Sequence, residues 1–216
     1  MTVPMYSYQD YPSAYRKYNT QYPDAEVIGW VLYDTQTYTS GATTRLTFFN
    51  SVPVNTSLGN METAGQLAPP KAFLVRAISA YFKVRPEAAV IDTDALPTVL
   101  TGCVYNLLQL TEYGVLQLEI GNKIYSEYPL WACCSGGGVT GVLSTIIHPT
   151  SEGDGLIDYG TLGEPDARNL LTLPKPLFIA PGINFQVVLT WPTALTLTRD
   201  IDICVALDGE MIRPVQ

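Results

Sequence analysis

The stretch Val115-Leu116-Gln117-Leu118-Glu119-Ile120-Gly121-Asn122-Lys123-Ile124-Tyr125 puts Leu116, Leu118 and Ile120 on one side and Gln117 and Glu119 on the other. Side chains of a strand point alternately to its two faces, so this period of two predicts a half-buried strand. Gly121-Asn122 suits the positive φ of a two-residue primed turn, and Lys123-Ile124-Tyr125 resumes the alternation, so the segment reads as a β-hairpin.

The same period recurs on both sides of it. Leu46 and Phe48 alternate with Arg45 and Thr47, and Leu74, Arg76, Ile78, Ala80 and Phe82 share a face opposite Val75, Ala77 and Tyr81. Phe185, Val187, Leu189 and Trp191 alternate with Gln186, Val188 and Thr190, and Ile201, Ile203, Val205 and Leu207 with Asp202, Cys204 and Ala206. Asp208-Gly209 reads as a turn into a last strand from Glu210 to Val215. The links Ser51–Pro70, Cys134–Gly141, Pro149–Pro165 and Leu173–Pro176 are rich in Gly, Pro, Ser and Asn. They are long for hairpin loops, which predicts crossovers between two sheets. One short helix is expected near Asp92–Leu100, weakened by Pro97. The expected fold is all-β: a single jelly-roll two-sheet β-sandwich of about eight antiparallel strands over residues 41–216, preceded by an N-terminal extended arm.

That arm, residues 1–40, holds eight of the 14 tyrosines. Tyr8, Tyr11, Tyr15, Tyr18 and Tyr22 step at helical intervals, yet Pro12 falls inside the stripe and Pro23 closes it. An extended or partly helical segment that lays its rings on apolar surface fits better than a free amphipathic helix. The body from Thr43 onward holds nearly all the period-two strands and is expected to fold without it. Tyr6, Tyr8, Tyr11, Tyr15, Tyr18 and Tyr22 are the candidate contacts to a neighbouring subunit.

Composition narrows the function. Of 216 residues, 47% are apolar and 15% charged, against about 25% charged in an ordinary soluble domain. So few charges imply surface that meets partners instead of water, and they exclude wholesale disorder. The net charge of -8, with Arg16-Lys17 the only adjacent basic pair, argues against strong direct nucleic-acid binding. No run approaches 18 apolar residues, so no transmembrane segment is expected, and Met1–Tyr6 lacks the pattern of a secretory signal. Cys103, Cys133, Cys134 and Cys204 lack zinc-ligand spacing and read as buried free thiols.

The inventory for chemistry is thin. His148 is the only histidine, so a metal-holding cupin or a nucleophile–histidine relay lacks its parts. Asp92 with Asp94, and Glu152, Asp154 and Asp158, are acidic loop clusters that match no calcium-loop pattern. Ser135-Gly136-Gly137-Gly138 lacks the lysine of a phosphate loop. No catalytic residue, metal ligand or cofactor is expected. Trp30, Trp131 and Trp191 keep a carbohydrate-binding or adhesin-like β-sandwich as the alternative.

Three segments carry a family likeness. Pro176-Leu177-Phe178-Ile179-Ala180-Pro181-Gly182-Ile183-Asn184-Phe185-Gln186-Val187 is similar to a late strand of jelly-roll capsid proteins. Val205-Ala206-Leu207-Asp208-Gly209-Glu210-Met211-Ile212-Arg213-Pro214-Val215-Gln216 resembles the closing hairpin of such proteins from tailless phages. Asn60-Met61-Glu62-Thr63-Ala64-Gly65-Gln66-Leu67, leading into Phe73-Leu74-Val75, looks like the same group. The resemblance spans residues 43–216 and leaves the arm uncovered. It implies a coat subunit of a virion, without catalytic residues. Its partners would be copies of itself in a closed shell or a tube, with other capsid proteins as further neighbours.

Overall fold

The structure, a computed structural model, describes residues 12–84, 103–147, 155–163, 170–197 and 200–214. The helix expected near Asp92–Leu100 lies outside them. Among the described residues the chain runs α1 (Ser13–Gln21), β1 (Ala25–Tyr38), β2 (Arg45–Phe48), β3 (Ala72–Val84), α2 (Cys103–Tyr113), β4 (Val115–Ile120) and β5 (Lys123–Pro129). A short 3-10 turn, Leu130–Cys133, then precedes β6 (Gly137–Ile147), β7 (Gly155–Gly163), β8 (Leu171–Ile179), β9 (Phe185–Thr190) and β10 (Ile201–Pro214).

Eight of these strands form two antiparallel four-stranded sheets, and β6 and β7 pair apart from them. The first sheet runs β1-β10-β3-β8 and the second β2-β9-β4-β5. With β6–β7 set aside, the pairing is nested: β1 with β10, β2 with β9, β3 with β8, β4 with β5, alternate pairs falling in opposite sheets. The alternating apolar residues meet between the sheets. Ile78, Ile201, Ile203, Val205 and Leu207 face Phe48, Leu116, Leu118, Val187 and Leu189, all nearly without exposure. Trp191 closes one end, its ring edge-on to Tyr38 at 4.8 Å and its Nε1–H donating to Leu110 C=O at 3.0 Å.

The sheets are also clipped by polar contacts. Asp34 of β1 is buried, and its carboxylate accepts the N–H of Phe49 just past β2 at 2.6 Å, along with Thr35 N–H at 2.9 Å and Gln36 Nε2 at 3.2 Å. Phe49 has a positive φ of 67°, a conformation that costs a bulky side chain energy and that the Asp34 acceptor helps to hold. Burial pushes the Asp34 carboxyl above the ordinary aspartate range, against the lowering pull of its N–H donors.

Several expectations need correction. Asp208-Gly209 makes no turn, since β10 continues through it to Pro214. The pairing of β10 with β3 shifts there, because Arg76 is an extra residue between Val75 and Ala77. This bulge reverses the phase of β3, so Phe73 and Val75 face inward with Ile78, Ala80 and Phe82, while Leu74 faces out. Gly209 is required by close approach: a Cβ there would lie 1.9 Å from Leu74 C=O. Cys134–Gly141, Pro149–Pro165 and Leu173–Pro176, read as links, contain strand from β6, β7 and β8. Register shifts around Gly137 and Thr140 show why glycine obscured β6. In β8 the ladder to β3 skips from Thr172 to Leu177, past Pro174 and Pro176, as edge prolines allow.

The helices differ from expectation too. α2 follows Leu107, Leu110 and Thr111 on one face and ends at Gly114, whose N–H donates to Leu110 C=O at 3.1 Å. α1 forms because its prolines bracket it. Pro12 precedes the first turn, where a missing N–H is harmless, and Pro23 follows the last. The expected arm and body do not part at residue 40, because Ala25–Tyr38 is a full strand of the first sheet, paired with β10 along its whole length. The body therefore includes a strand that the sequence reading assigned to the arm.

Candidate assembly surface

Tyr15, Tyr18 and Tyr22 lie on or just after α1 and face their own chain. Tyr18 is only 6% exposed and packs with Ala72 and Ile212 on the outer face of the first sheet, with Tyr15, Tyr22 and Phe178 around it. Ring centroids lie 5.7 Å apart for Tyr18–Phe178, 5.8 Å for Tyr15–Phe178 and 4.8 Å for Tyr18–Tyr22. The Tyr18 hydroxyl donates to Pro70 C=O. Desolvation, reinforced by Tyr22, raises the Tyr18 phenol above its ordinary pKa. Tyrosine suits this position because the ring covers apolar sheet while the hydroxyl keeps a partner. Tyr6, Tyr8 and Tyr11 lie outside the described residues.

Besides Val52, Val54 and Leu58 in the loop after β2, two apolar groups stand open to solvent among the described residues. On β1, Val27 and Val31 are exposed on one face and Trp30, at 45%, on the other. At the second sheet, Ile124 and Tyr125 of β5 are exposed, as are Tyr113 and Trp131 (61%) beside the Gly114–Leu130 hydrogen bond. The alternation missed both groups because it marks which face is apolar, not whether a partner covers it. Trp191, by contrast, is core.

Beneath Trp30 lies a cleft of about 130 Å³, walled by Ile28, Leu32, Met61, Leu67 and Met211. This is close to the roughly 150 Å³ that takes one benzene-sized group. Its polar rim is already engaged within the chain: Lys71 Nζ with Glu62 at 2.6 Å, Arg213 Nε with Glu26 at 2.8 Å, and Gln66 with Asn184. The cleft therefore offers an apolar wall and few unengaged groups to read a sugar hydroxyl.

The remaining candidates disperse. His148, Asp92, Asp94, Glu152 and Asp154 lie outside the described residues, and Asp158 falls on β7. Ser135 is tied down by its N–H donating to Ala80 C=O at 3.0 Å, and Gly136 has φ 81°, so the glycine run begins as a turn. Cys133, Cys134 and Cys204 are free buried thiols. Cys103 opens α2. Among the described residues no cluster of three His, Cys, Asp or Glu side chains is placed to hold a metal ion, and no helix is long and apolar enough to cross a membrane. No family model, no curated protein and no solved structure matches the chain.

Proposed function

We propose that the chain is a structural coat subunit, a single jelly roll that assembles with copies of itself into the capsid or capsid-like shell, or a tube, of a virion. The observation that carries this reading is the nested pairing of β1 with β10, β2 with β9, β3 with β8 and β4 with β5, alternate pairs in opposite sheets. A long hairpin rolled once upon itself produces that order, and a jelly roll is such a roll. In this reading β6–β7 is an insertion between the fourth pair and β8. Low charge, aromatic residues open on two faces and a tyrosine-bearing helix add support.

The subunit turns over no substrate, needs no cofactor and binds duplex nucleic acid weakly, since its net charge of -8 opposes phosphate. Its partners are copies of itself, with other capsid proteins as neighbours. Because Tyr15, Tyr18 and Tyr22 cover their own sheet, the contacts between subunits fall to Tyr6, Tyr8 and Tyr11 and to the open apolar groups. Exposed Trp30 and Trp131 favour the second reading, a carbohydrate-binding or adhesin-like module, though the engaged rim of the cleft weighs against it. Negative-stain microscopy of the purified full chain tests the choice. Closed shells or tubes are expected. Small oligomers whose tryptophan fluorescence saturates with an oligosaccharide overturn the coat reading.

A further inference from the structure

A sheet edge is a row of open N–H and C=O groups, and proteins blunt such rows against pairing with other chains. Three of the four edges of the two four-stranded sheets are blunted. β8 carries Pro174, Lys175 and Pro176 at its bulge, β5 has a bulge, Lys123 and a closing Pro129, and β2 is only four residues long. The fourth edge, β1, is 14 residues long and is covered only in part. Asn60 caps it from Val31 onward: Oδ1 accepts Tyr33 N–H at 2.9 Å, the Asn60 N–H donates to Tyr33 C=O at 3.1 Å, and Nδ2 donates to Val31 C=O at 2.7 Å.

These contacts fix which backbone groups face outward. Val31 and Tyr33 point away from β10, so by the alternation of an antiparallel ladder Ala25, Val27 and Gly29 do too. The N–H of Ala25 is used, donating to Tyr22 C=O at 3.2 Å. Among the described residues the C=O of Ala25, both groups of Val27, both groups of Gly29 and the N–H of Val31 have no partner.

That set is complementary to itself. With a two-fold axis at Ile28, Val27 N–H meets Gly29 C=O of the second copy, Gly29 N–H meets Val27 C=O, and Val31 N–H meets Ala25 C=O. Ala25 N–H and Val31 C=O, which face each other at the two ends of this register, are the groups the chain satisfies internally, so each end of the ladder is closed by one bond instead of two. The side chains agree. Glu26 falls opposite Trp30 of the second copy and not opposite another carboxylate, Ile28 opposite Ile28, and Val27 opposite the bare Gly29, where an added Cβ meets nothing within 4 Å. Val27, Trp30 and Val31, the exposed apolar residues of β1, are the ones covered. We propose that β1 pairs antiparallel with β1 of a second copy about a two-fold axis at Ile28, joining two first sheets into one. The pairing names one contact of the self-assembly proposed above and rests on that reading only in that copies meet.

Ile28 sits at a non-hydrogen-bonded position of the proposed ladder, where opposed Cα atoms are about 4.5 Å apart, within reach of a disulfide. Oxidised full-length Ile28→Cys is expected to run as a covalent dimer well above the wild-type background. Amides of Val27, Gly29 and Val31 should exchange at least tenfold more slowly in concentrated than in dilute protein. Val27→Pro removes a donor that the fold itself does not use, and Gly29→Lys adds a charge at the axis in open space. Either should abolish the cross-link in the Ile28→Cys background while leaving circular dichroism unchanged. An Ile28→Cys chain that links no more than wild type overturns the pairing, as does amide protection independent of concentration, the mark of an edge filled from within the chain by its first residues. Normal particles from an unlinked Ile28→Cys chain leave the coat reading standing without this contact. A linked pair that never forms particles supports the contact and ends the coat reading.

Discussion

The two sheets share one core but finish their outer faces differently. Outside the second sheet, side chains satisfy one another along the rows. Gln117 Nε2 donates to Glu127 at 2.5 Å, and Gln186 Nε2 donates to Glu119 at 2.6 Å, with Thr47 and Thr190 beside them. Its polar rows are satisfied in water, with Ile124 and Tyr125 left open at the β5 edge. The outer face of the first sheet carries Ala72, Leu74 and Ile212, and it needs α1 and its tyrosines as a third layer. The same strand period thus builds one face that ends in solvent and another that calls for cover. What lies outside a sheet is decided by residues the core does not constrain.

The sharpest break in this comparison is Gly209→Val. No rotamer removes a Cβ placed 1.9 Å from Leu74 C=O, so β10 must separate from β3. A loss above ~4 kcal/mol, enough to abolish soluble folded protein, is expected on a thermal melt. Gly29→Ala, in the open edge of the same sheet, should change little.

Next comes the clip between the sheets. Asp34→Ala strands the N–H groups of Phe49 and Thr35, and each orphaned buried donor costs about 1–3 kcal/mol. Urea unfolding should show a loss of roughly 2–4 kcal/mol. A loss below half a kcal/mol would mean that water replaces the carboxylate and that the sheets do not depend on it.

Removing the third layer costs less. Tyr18→Ala should destabilise by roughly 2–3 kcal/mol and speed amide exchange across Ser13–Gln21, while the second sheet keeps its protection. Tyr18→Phe loses only the hydroxyl bond to Pro70, about 1 kcal/mol. Equal loss of protection in both sheets would show that α1 belongs to the core.

Smaller again is a pH effect confined to the first sheet. Burial raises the Asp208 carboxyl above the ordinary aspartate range, with Ser79 Oγ a weak donor at 3.5 Å. A raised carboxyl favours folding as it takes up its proton, so its cost is full above the raised pKa and fades as pH falls towards 3.8. Asp208→Asn should therefore be the more stable chain at pH 7, by under about 1 kcal/mol given its partial exposure, and the gap should close towards pH 4. A gap that widens on acidification contradicts the sign. Smallest is Gln117→Ala on the second sheet, within about 0.5 kcal/mol of wild type by urea unfolding.

Strands with one apolar side were legible because burial and period coincide. Val115–Ile120 and Phe185–Thr190 fall where the alternation puts them. Gly121 takes the positive φ of 63° that its turn predicts, without a positive φ at Asn122, the pattern of a type II′ turn. Glycine was legible only as a breaker, so Gly209 was read as a turn when it serves close packing, and Gly137 hid a strand. The bulge at Arg76 leaves no local mark, since one extra residue shifts the phase only when the partner strand is known. β1 was obscured by its exposed Val27, Trp30 and Val31, which break a clean alternation. Those residues form the candidate contact, so the signal missing from the strand is the signal of the surface.

The buried thiols have a practical consequence. Cys133 and Cys134 donate to Pro129 C=O at 3.7 Å and Leu130 C=O at 3.3 Å, and burial pushes both up to about 12. At pH 7 such groups stay protonated and out of reach, so a thiol reagent must wait for the protein to open. Cys204 on β10 is buried as well, its pKa raised mainly by desolvation. The chain thus carries its own clocks, one on the outer side of the first sheet and a pair beyond the end of the second. Peptide-resolved labelling with iodoacetamide would time each. Equal rates mean that the two places open in one event, and unequal rates name the one that opens first.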